Sequence, residues 1–187
     1  MRGRARAALV SALLLTALMW PVSHAAPSGA AVCADVSTIC GTAGADEIYV
    51  NGNDREVFAG KGDDTIYVDG SRNIIHAGPG DDAIYIKGAA NTFYGEDGND
   101  GGSSGQGGDH LSGGAGADDF KGRKGIDTLA GGAGADALKS GPGDDDLAGG
   151  DGDDVLRASS GADDLDGGEG DDDCRTGPGR DHATRCG

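Results

Sequence analysis

From Gly41 to Thr184 the sequence divides into consecutive nonapeptides without one insertion or deletion, 144 residues in 16 units. Such regularity is hard to obtain by chance, and it makes the repeat the organising fact of the chain. Among the cleanest units are GGAGADDFK (113–121), GGAGADALK (131–139), GGDGDDVLR (149–157) and GGEGDDDCR (167–175), with the pattern G-G-x-G-x-D-x-U-x, where U is apolar. The sixth position is Asp46, Asp64, Asp82, Asp100, Asp109, Asp118, Asp127, Asp136, Asp145, Asp154, Asp163, Asp172 or Asp181 in thirteen units, and Arg55, Asn73 or Asn91 in the other three. The eighth runs from Ile48, Val57 and Ile66 to Leu147, Leu156 and Leu165, with Gly102, Cys174 and Ala183 as weak members. One column is acidic and the other apolar.

With 38 glycines and 36% apolar residues there is little side-chain volume for a conventional core, so something else must hold the chain together. The formal charge of −17 argues against nucleic acid, whose phosphates need a surplus of Lys and Arg, and makes a cationic partner the natural complement. Residues 1–25 read as a secretory signal, with Arg2, Arg4 and Arg6, an apolar run from Ala7 to Trp20, and Ser23-His24-Ala25 as a small-residue cleavage site. That run falls short of the ~20 residues that span a bilayer, and no later stretch is apolar enough, so the expectation is a secreted, extracellular protein without a membrane span. Cys33, Cys40, Cys174 and Cys186 sit in pairs at the two ends of an exported chain, where disulfides persist; four cysteines allow three connectivities.

These units resemble the repeat-in-toxin (RTX) nonapeptide family over the whole of Gly41–Thr184. The resemblance implies an all-β fold, a right-handed parallel β-roll in which six residues turn, three form a strand, and two units complete a coil with Ca²⁺ between neighbouring turns. The chemistry agrees: calcium wants 6–8 oxygens, and glycines let carbonyls and the Asp carboxylate converge on it. Composition alone would suit a disordered acidic linker, but a linker has no reason to keep an apolar residue two places after each Asp. Without calcium the acidic columns repel and the thin apolar column offsets little of the ~1–2 kcal/mol per residue of backbone entropy, so folding is expected to be coupled to metal binding.

If two units make a coil, the turns separate into two rows. The acidic row is Asp46, Asp64, Asp82, Asp100, Asp118, Asp136, Asp154 and Asp172; the mixed row begins with Arg55, Asn73 and Asn91 before Asp109, Asp127, Asp145, Asp163 and Asp181. The three exceptional turns also lack the fourth-position glycine. Ions are therefore expected along one edge in the first half and both edges in the second, with a ceiling of about eleven if each lies between adjacent same-row turns. Arg55 is expected to stand in for a missing cation, and Asn73 and Asn91 to bond backbone without charge. Asp63, Asp81, Asp144, Asp153 and Asp171 at the fifth position read either as extra ligands or as solvated edge charge.

The first half of the roll, 41–103, has longer strands. In Ile48-Tyr49-Val50, Ile66-Tyr67-Val68 and Ile84-Tyr85-Ile86 the alternation puts the aliphatics inward and the tyrosines outward as a ladder, with Phe58, His76 and Tyr94 on the opposite face. The ladders read as self-stacking, or else as an aromatic platform for a polysaccharide or cell surface. Gly101-Gly102-Ser103 reads as a weak point before the second half, 104–184, and residues 26–40 and 185–187 read as caps. Eight coils at ~4.8 Å make a rod roughly 40 Å long, which leaves Cys33–Cys40 and Cys174–Cys186 as the bridges within reach.

No catalytic machinery is expected. Gly101–Gly105 matches G-x-S-x-G at Ser103, but that motif has meaning only at a strand-to-helix turn with His and Asp nearby, and chance matches abound in a chain this rich in glycine. His76, His110 and His182 fall at outward positions, and no EF-hand loop is present. Many RTX proteins carry such repeats behind an enzymatic or pore-forming domain; this chain reads as the repeat module alone, and its N-terminal signal departs from the family's usual C-terminal export signal. Two classes follow: a secreted calcium-binding protein that folds on its ions, or an adhesive rod in which calcium is only structural.

Overall fold

The computed structural model describes residues 37–187; the expected secretory segment and most of the expected N-terminal cap lie outside the described residues. All secondary structure among the described residues is β, in two parallel sheets. The first has nine strands: β1 (Thr38–Cys40), β3 (Glu56–Phe58), β5 (Ile74–His76), β7 (Thr92–Asp97), β9 (His110–Ala115), β11 (Thr128–Ala133), β13 (Asp146–Asp151), β15 (Asp164–Glu169) and β17 (His182–Thr184). The second has eight: β2 (Glu47–Asn51), β4 (Thr65–Asp69), β6 (Ala83–Ile86), β8 (Gly101–Ser103), β10 (Asp119–Lys121), β12 (Ala137–Lys139), β14 (Val155–Arg157) and β16 (Asp173–Arg175).

Register follows the repeat. Leu129 pairs with Leu111 on one side and Leu147 on the other, and Ile66 with Ile48 and Ile84, so each coil is two nonapeptides and neighbours in a sheet are eighteen residues apart. The chain crosses between sheets at every six-residue turn and returns one coil further along, the β-solenoid expected of the repeat. The apolar column also reaches back before Gly41: Ile39 pairs with Val57 in β1 and packs against the core.

The core lies between the sheets and is one side chain thick. From β2 to β15 the strands turn their eighth-position side chains inward, so Ile48, Val57, Ile66, Ile75, Leu129 and Leu147 are all buried, while Cys174 is partly buried and Ala183 exposed in the last coil. In the first half the alternation buries a second aliphatic in each strand of the smaller sheet, Val50, Val68 and Ile86, and Ala59 and Ala77 are buried as well. Sheet pairing runs without a break through Gly101–Ser103, read as a weak point: β8 pairs with both β6 and β10. Phe93 and Phe120, fully buried with rings 5.7 Å apart edge to face, supply bulk near the level where Gly102 has no side chain.

Both expected ladders form. Tyr49, Tyr67 and Tyr85 stack at 5.0 and 5.4 Å on the smaller sheet, and Phe58, His76 and Tyr94 at 4.9 and 5.1 Å on the larger. Cys174 and Cys186 are disulfide-bonded across the last coil. Cys40 is disulfide-bonded too, and its expected partner Cys33 lies outside the described residues.

Candidate metal sites

The sixth-position side chains form two unbroken hydrogen-bonded rows. In the acidic row each Oδ1 accepts the backbone N–H of the sixth residue one coil earlier: Asp46 N–H donates to Asp64, Asp64 to Asp82, and so on to Asp154 and Asp172, at 2.7–2.9 Å. The mixed row does the same from Arg55 N–H on Asn73 through to Asp163 N–H on Asp181, at 2.8–3.1 Å. One oxygen of each side chain is thus committed to joining coils, a task asparagine performs as well as aspartate.

The second oxygen separates the residues. Oδ2 of Asp64, Asp82, Asp100, Asp118, Asp127, Asp136, Asp145, Asp154, Asp163 and Asp172 is buried and has no hydrogen-bond donor. Stranding a buried polar atom costs about 1–3 kcal/mol, and more for a charged one, so ten in line call for a cation or a proton. The remaining three candidates differ. Thr42 N–H donates to Asp46 Oδ2, Gly105 N–H donates to Asp109 Oδ2 at 3.2 Å, and Asp181 is only half-buried in the last turn.

Backbone oxygens meet these atoms. A Cβ added at Gly95 would collide with both Asp100 Oδ2 and the Gly113 carbonyl of the next coil, and one at Gly149 with Asp154 Oδ2 and the Gly167 carbonyl. Space beside the first glycine of each turn is therefore where a carboxylate oxygen and a carbonyl from adjacent coils converge. No three His, Cys, Asp or Glu side chains cluster among the described residues. Such a site offers carboxylate singly and carbonyls in number, a donor set that suits a hard, oxygen-seeking cation such as Ca²⁺ rather than a soft one.

In the first half of the mixed row the same space is filled by protein. Asn73 Nδ2 donates to Gly52 O at 3.1 Å and Asn91 Oδ1 at 3.0 Å; Asn91 Nδ2 donates to Gly70 O and Asp109 Oδ1, both at 3.2 Å. The amide thus supplies its own donor where aspartate has a bare oxygen, as expected of the two asparagines. Position one of these turns is Val50, Val68 or Ile86, all buried. Their path differs too: Asp54, Arg72 and Ala90 each take a left-handed φ of 57° at the fifth position, whereas in regular turns the fourth-position glycine does so, as Gly116 does at 141°.

Burial, opposed by the inter-coil hydrogen bonds, raises the pKa of these carboxyls. Asp82 and Asp100 rise to about 7, and Asp64 and Asp127 to about 6, with neighbouring aspartates adding to the rise; Asp136, Asp154 and Asp163 are raised in the same way, and Asp109 and Asp118 by burial alone.

Four of the fifth-position acids also join coils, each through one carboxylate oxygen at the solvent-exposed edge. Asp63 and Asp81 accept the N–H of Asp81 and Asn99 one coil later, Asp144 that of Ala162, and Asp153 that of Asp171, at 2.8–3.1 Å. Sequence reasoning missed the first position of the mixed row's second half, where Ser104, Ser140, Ala158 and Thr176 stand in place of glycine. Ser104 is fully buried and its Oγ lacks a partner, which makes it a candidate oxygen donor beside Asp109. The column of first-position residues carried that signal. Ser103, matched by the nucleophile motif, ends strand β8, and no helix follows it among the described residues.

Two parallel sheets joined by glycine-rich turns, with buried carboxylate and carbonyl oxygens stacked along their edges, define a calcium-binding β-solenoid. The model of the RTX calcium-binding nonapeptide repeat (4 copies) matches residues 56–85, 94–129, 112–147, 121–156, 140–174 and 148–183, and the chain belongs to that family. No curated protein and no solved structure matches it.

Proposed function

We propose that this calcium-binding repeat protein is exported and folds outside the cell on binding calcium, with ions along the whole acidic row and along the mixed row only from Asp109 onward. The observation that carries this reading is the set of ten buried Oδ2 atoms without donors, which stops in the mixed row where Asn73 and Asn91 provide their own. Asp46, Asp109 and Asp181 would serve as end members, and the ceiling of about eleven ions stands as the number to test. Metal-free, the rows hold carboxylates one strand spacing apart, ~4.8 Å, with no counter-charge, so the folded state is strongly opposed. The Cys174–Cys186 disulfide supports an oxidising compartment. No helix among the described residues is long and apolar enough to cross a membrane. The RTX roll is a calcium-binding fold, and the roles assigned to its side chains here are binding and structural.

Far-UV circular dichroism of the mature chain during a calcium titration, with magnesium as control, tests the reading. A cooperative, calcium-specific gain of β signal is expected; a chain already folded in chelator, or unfolded in millimolar calcium, would overturn it.

An adhesive role for the tyrosine ladder is the alternative. Tyr49, Tyr67 and Tyr85 are 36–47% exposed, but with interplanar angles of 14° and 17° their faces are turned on one another. Ring edges, hydroxyls and one face each of Tyr49 and Tyr85 are left for a glycan, so this reading rests on hydrogen bonding more than on ring stacking. Replacing the three by serine should leave cell-surface retention unchanged if the ladder is structural.

A further inference from the structure

Cations are unevenly placed on this acidic molecule. Along the outer face of the smaller sheet the tyrosine ladder ends at Tyr85, Ser103 follows in register, and then come Lys121, Lys139, Arg157 and Arg175. The outer members are neutralised within their own strands, Lys121 by Asp119 at 3.1 Å and Arg175 by Asp173 at 2.9 Å. Lys139 and Arg157 have Ala137 and Val155 at the corresponding positions and make no ion pair among the described residues.

At the corner where this sheet enters the mixed row lies a groove of about 760 Å³, lined by Lys87, Arg123, Lys124 and Lys139, with Gln106 and Ser140 among its neutral groups and no carboxylate in its lining. Four cations with no acid would be unexpected anywhere on a chain with 32 acidic and 15 basic residues. Lys87 reaches Asp69 only at 3.5 Å with both side chains in solvent, and Arg123, Lys124 and Lys139 form no ion pair among the described residues. A second groove, of about 650 Å³, shares Ile86, Lys87 and Arg123 with the first and runs past the exposed tyrosine edges, with Asp69, the neighbour of Lys87, as the one acid in its lining.

We propose that this continuous corner groove binds an acidic polysaccharide, its sulfate or carboxylate groups pairing with Lys87, Arg123, Lys124 and Lys139 and its hydroxyls meeting Gln106, Ser140 and the tyrosine edges. Charge complementarity selects a polyanion. Among polyanions, single-stranded nucleic acid needs a succession of open aromatic faces on which to stack bases, and here stacking covers both faces of Tyr67 and one face each of Tyr49 and Tyr85. Duplex nucleic acid carries a charge every ~1.7 Å, a density that the surrounding acid surplus repels. The inference goes beyond calcium binding but takes the calcium-loaded roll as its scaffold, because Arg123 and Lys124 stand in the turn that ends at Asp127.

The test is biolayer interferometry of the full chain on immobilised dextran sulfate and on neutral dextran, with circular dichroism recorded in the same buffers in calcium and in chelator. Binding to dextran sulfate alone is expected, weakening as salt shortens the ~10 Å screening length at 0.1 M. Arg123→Ser/Lys124→Ser/Lys139→Ser should bind about tenfold more weakly with an unchanged spectrum, the loss of three partly screened ion pairs. Should that variant misfold, Lys87→Ser/Lys139→Ser, at two solvent-facing positions, must weaken binding several-fold on the same argument. Absence of wild-type binding, equal binding by the variants, or equally tight binding of a single-stranded oligonucleotide would overturn the proposal. A chain folded in chelator as well as in calcium would sink the calcium-coupled reading and leave the groove to be judged on binding alone.

Discussion

Between residues 41 and 94 the roll buries two aliphatic residues in each strand of the smaller sheet, whereas β10, β12 and β14 bury one apolar residue each and β16 none, yet both halves keep the same eighteen-residue register. What the first half of the mixed row holds with Val50, Val68, Ile86 and the amide donors of Asn73 and Asn91, the second holds with small residues such as Ser104, Gly122 and Ser140 and with bare carboxylate oxygens. One coil geometry therefore tolerates two kinds of cement along its mixed row, apolar volume with a neutral hydrogen-bond ladder, or oxygen cages that need a cation. The aromatic ladders fall in the half with the fewer cages, where they add stacking along the axis.

Removing calcium should break the comparison most visibly. By hydrogen exchange, amides of 104–184 should lose protection by orders of magnitude in chelator, and those of β2, β4 and β6 by distinctly less, if, as proposed, only the second half takes cations at both edges. Equal loss across the chain would mean that the apolar half has no stability of its own.

Protons should partly replace the metal. The pKa values of Asp82 and Asp100 in the folded roll, near 7, and of Asp64 and Asp127, near 6, lie above the ordinary carboxylate value, so protonation favours the metal-free roll. That contribution is complete below the unfolded value near pH 4 and is lost as pH rises through 6 to 7. In chelator, β signal should thus be greater at pH 4.5 than at pH 8, while in calcium the folding midpoint should move to higher calcium as pH falls from 8 to 6. The opposite trend in either medium would contradict the assignment.

Smaller effects sharpen the contrast. Leu147→Ala, in the half with one aliphatic per strand, should destabilise the calcium-loaded roll by about 2–5 kcal/mol in urea titration. Asp136→Asn keeps the inter-coil Oδ1 bond and should lower calcium stoichiometry with little change of fold, whereas Asn73→Asp strands a new carboxylate oxygen near the Val68 turn and should cost about 1–3 kcal/mol. Tyr67→Ser, which interrupts the ladder on the surface, should cost only about 0.5–1.5 kcal/mol, read as a small shift of the same transition.

Much of this was legible before any coordinates. A strict nine-residue period with an acidic sixth and an apolar eighth position, taken with the two-unit coil that the RTX resemblance implies, gives the pairing of Leu111 with Leu129 and of Ile48 with Ile66. The outward tyrosines, the two unequal rows and the exceptional turns at Arg55, Asn73 and Asn91 follow from the same bookkeeping. Strand β1 falls in the segment 26–40 read only as a cap, although Ile39 stands eighteen residues before Val57 and so continues the apolar column.

The sequence alone determined which residues share a column, because the period sets which backbone lies beside which. What each side chain does there was decided only by the tertiary structure. Oδ1 of Asp118 is committed to the N–H of Asp100 while Oδ2 is left bare; four of the fifth-position acids join coils, each through one oxygen; and both faces of Tyr67 are spent on its neighbours in the ladder. Likewise, Lys87, Arg123, Lys124 and Lys139, spread over 53 positions, meet in one groove. These outcomes depend on rotamers and on contacts between coils, for which a repeat pattern supplies the neighbours but not the geometry.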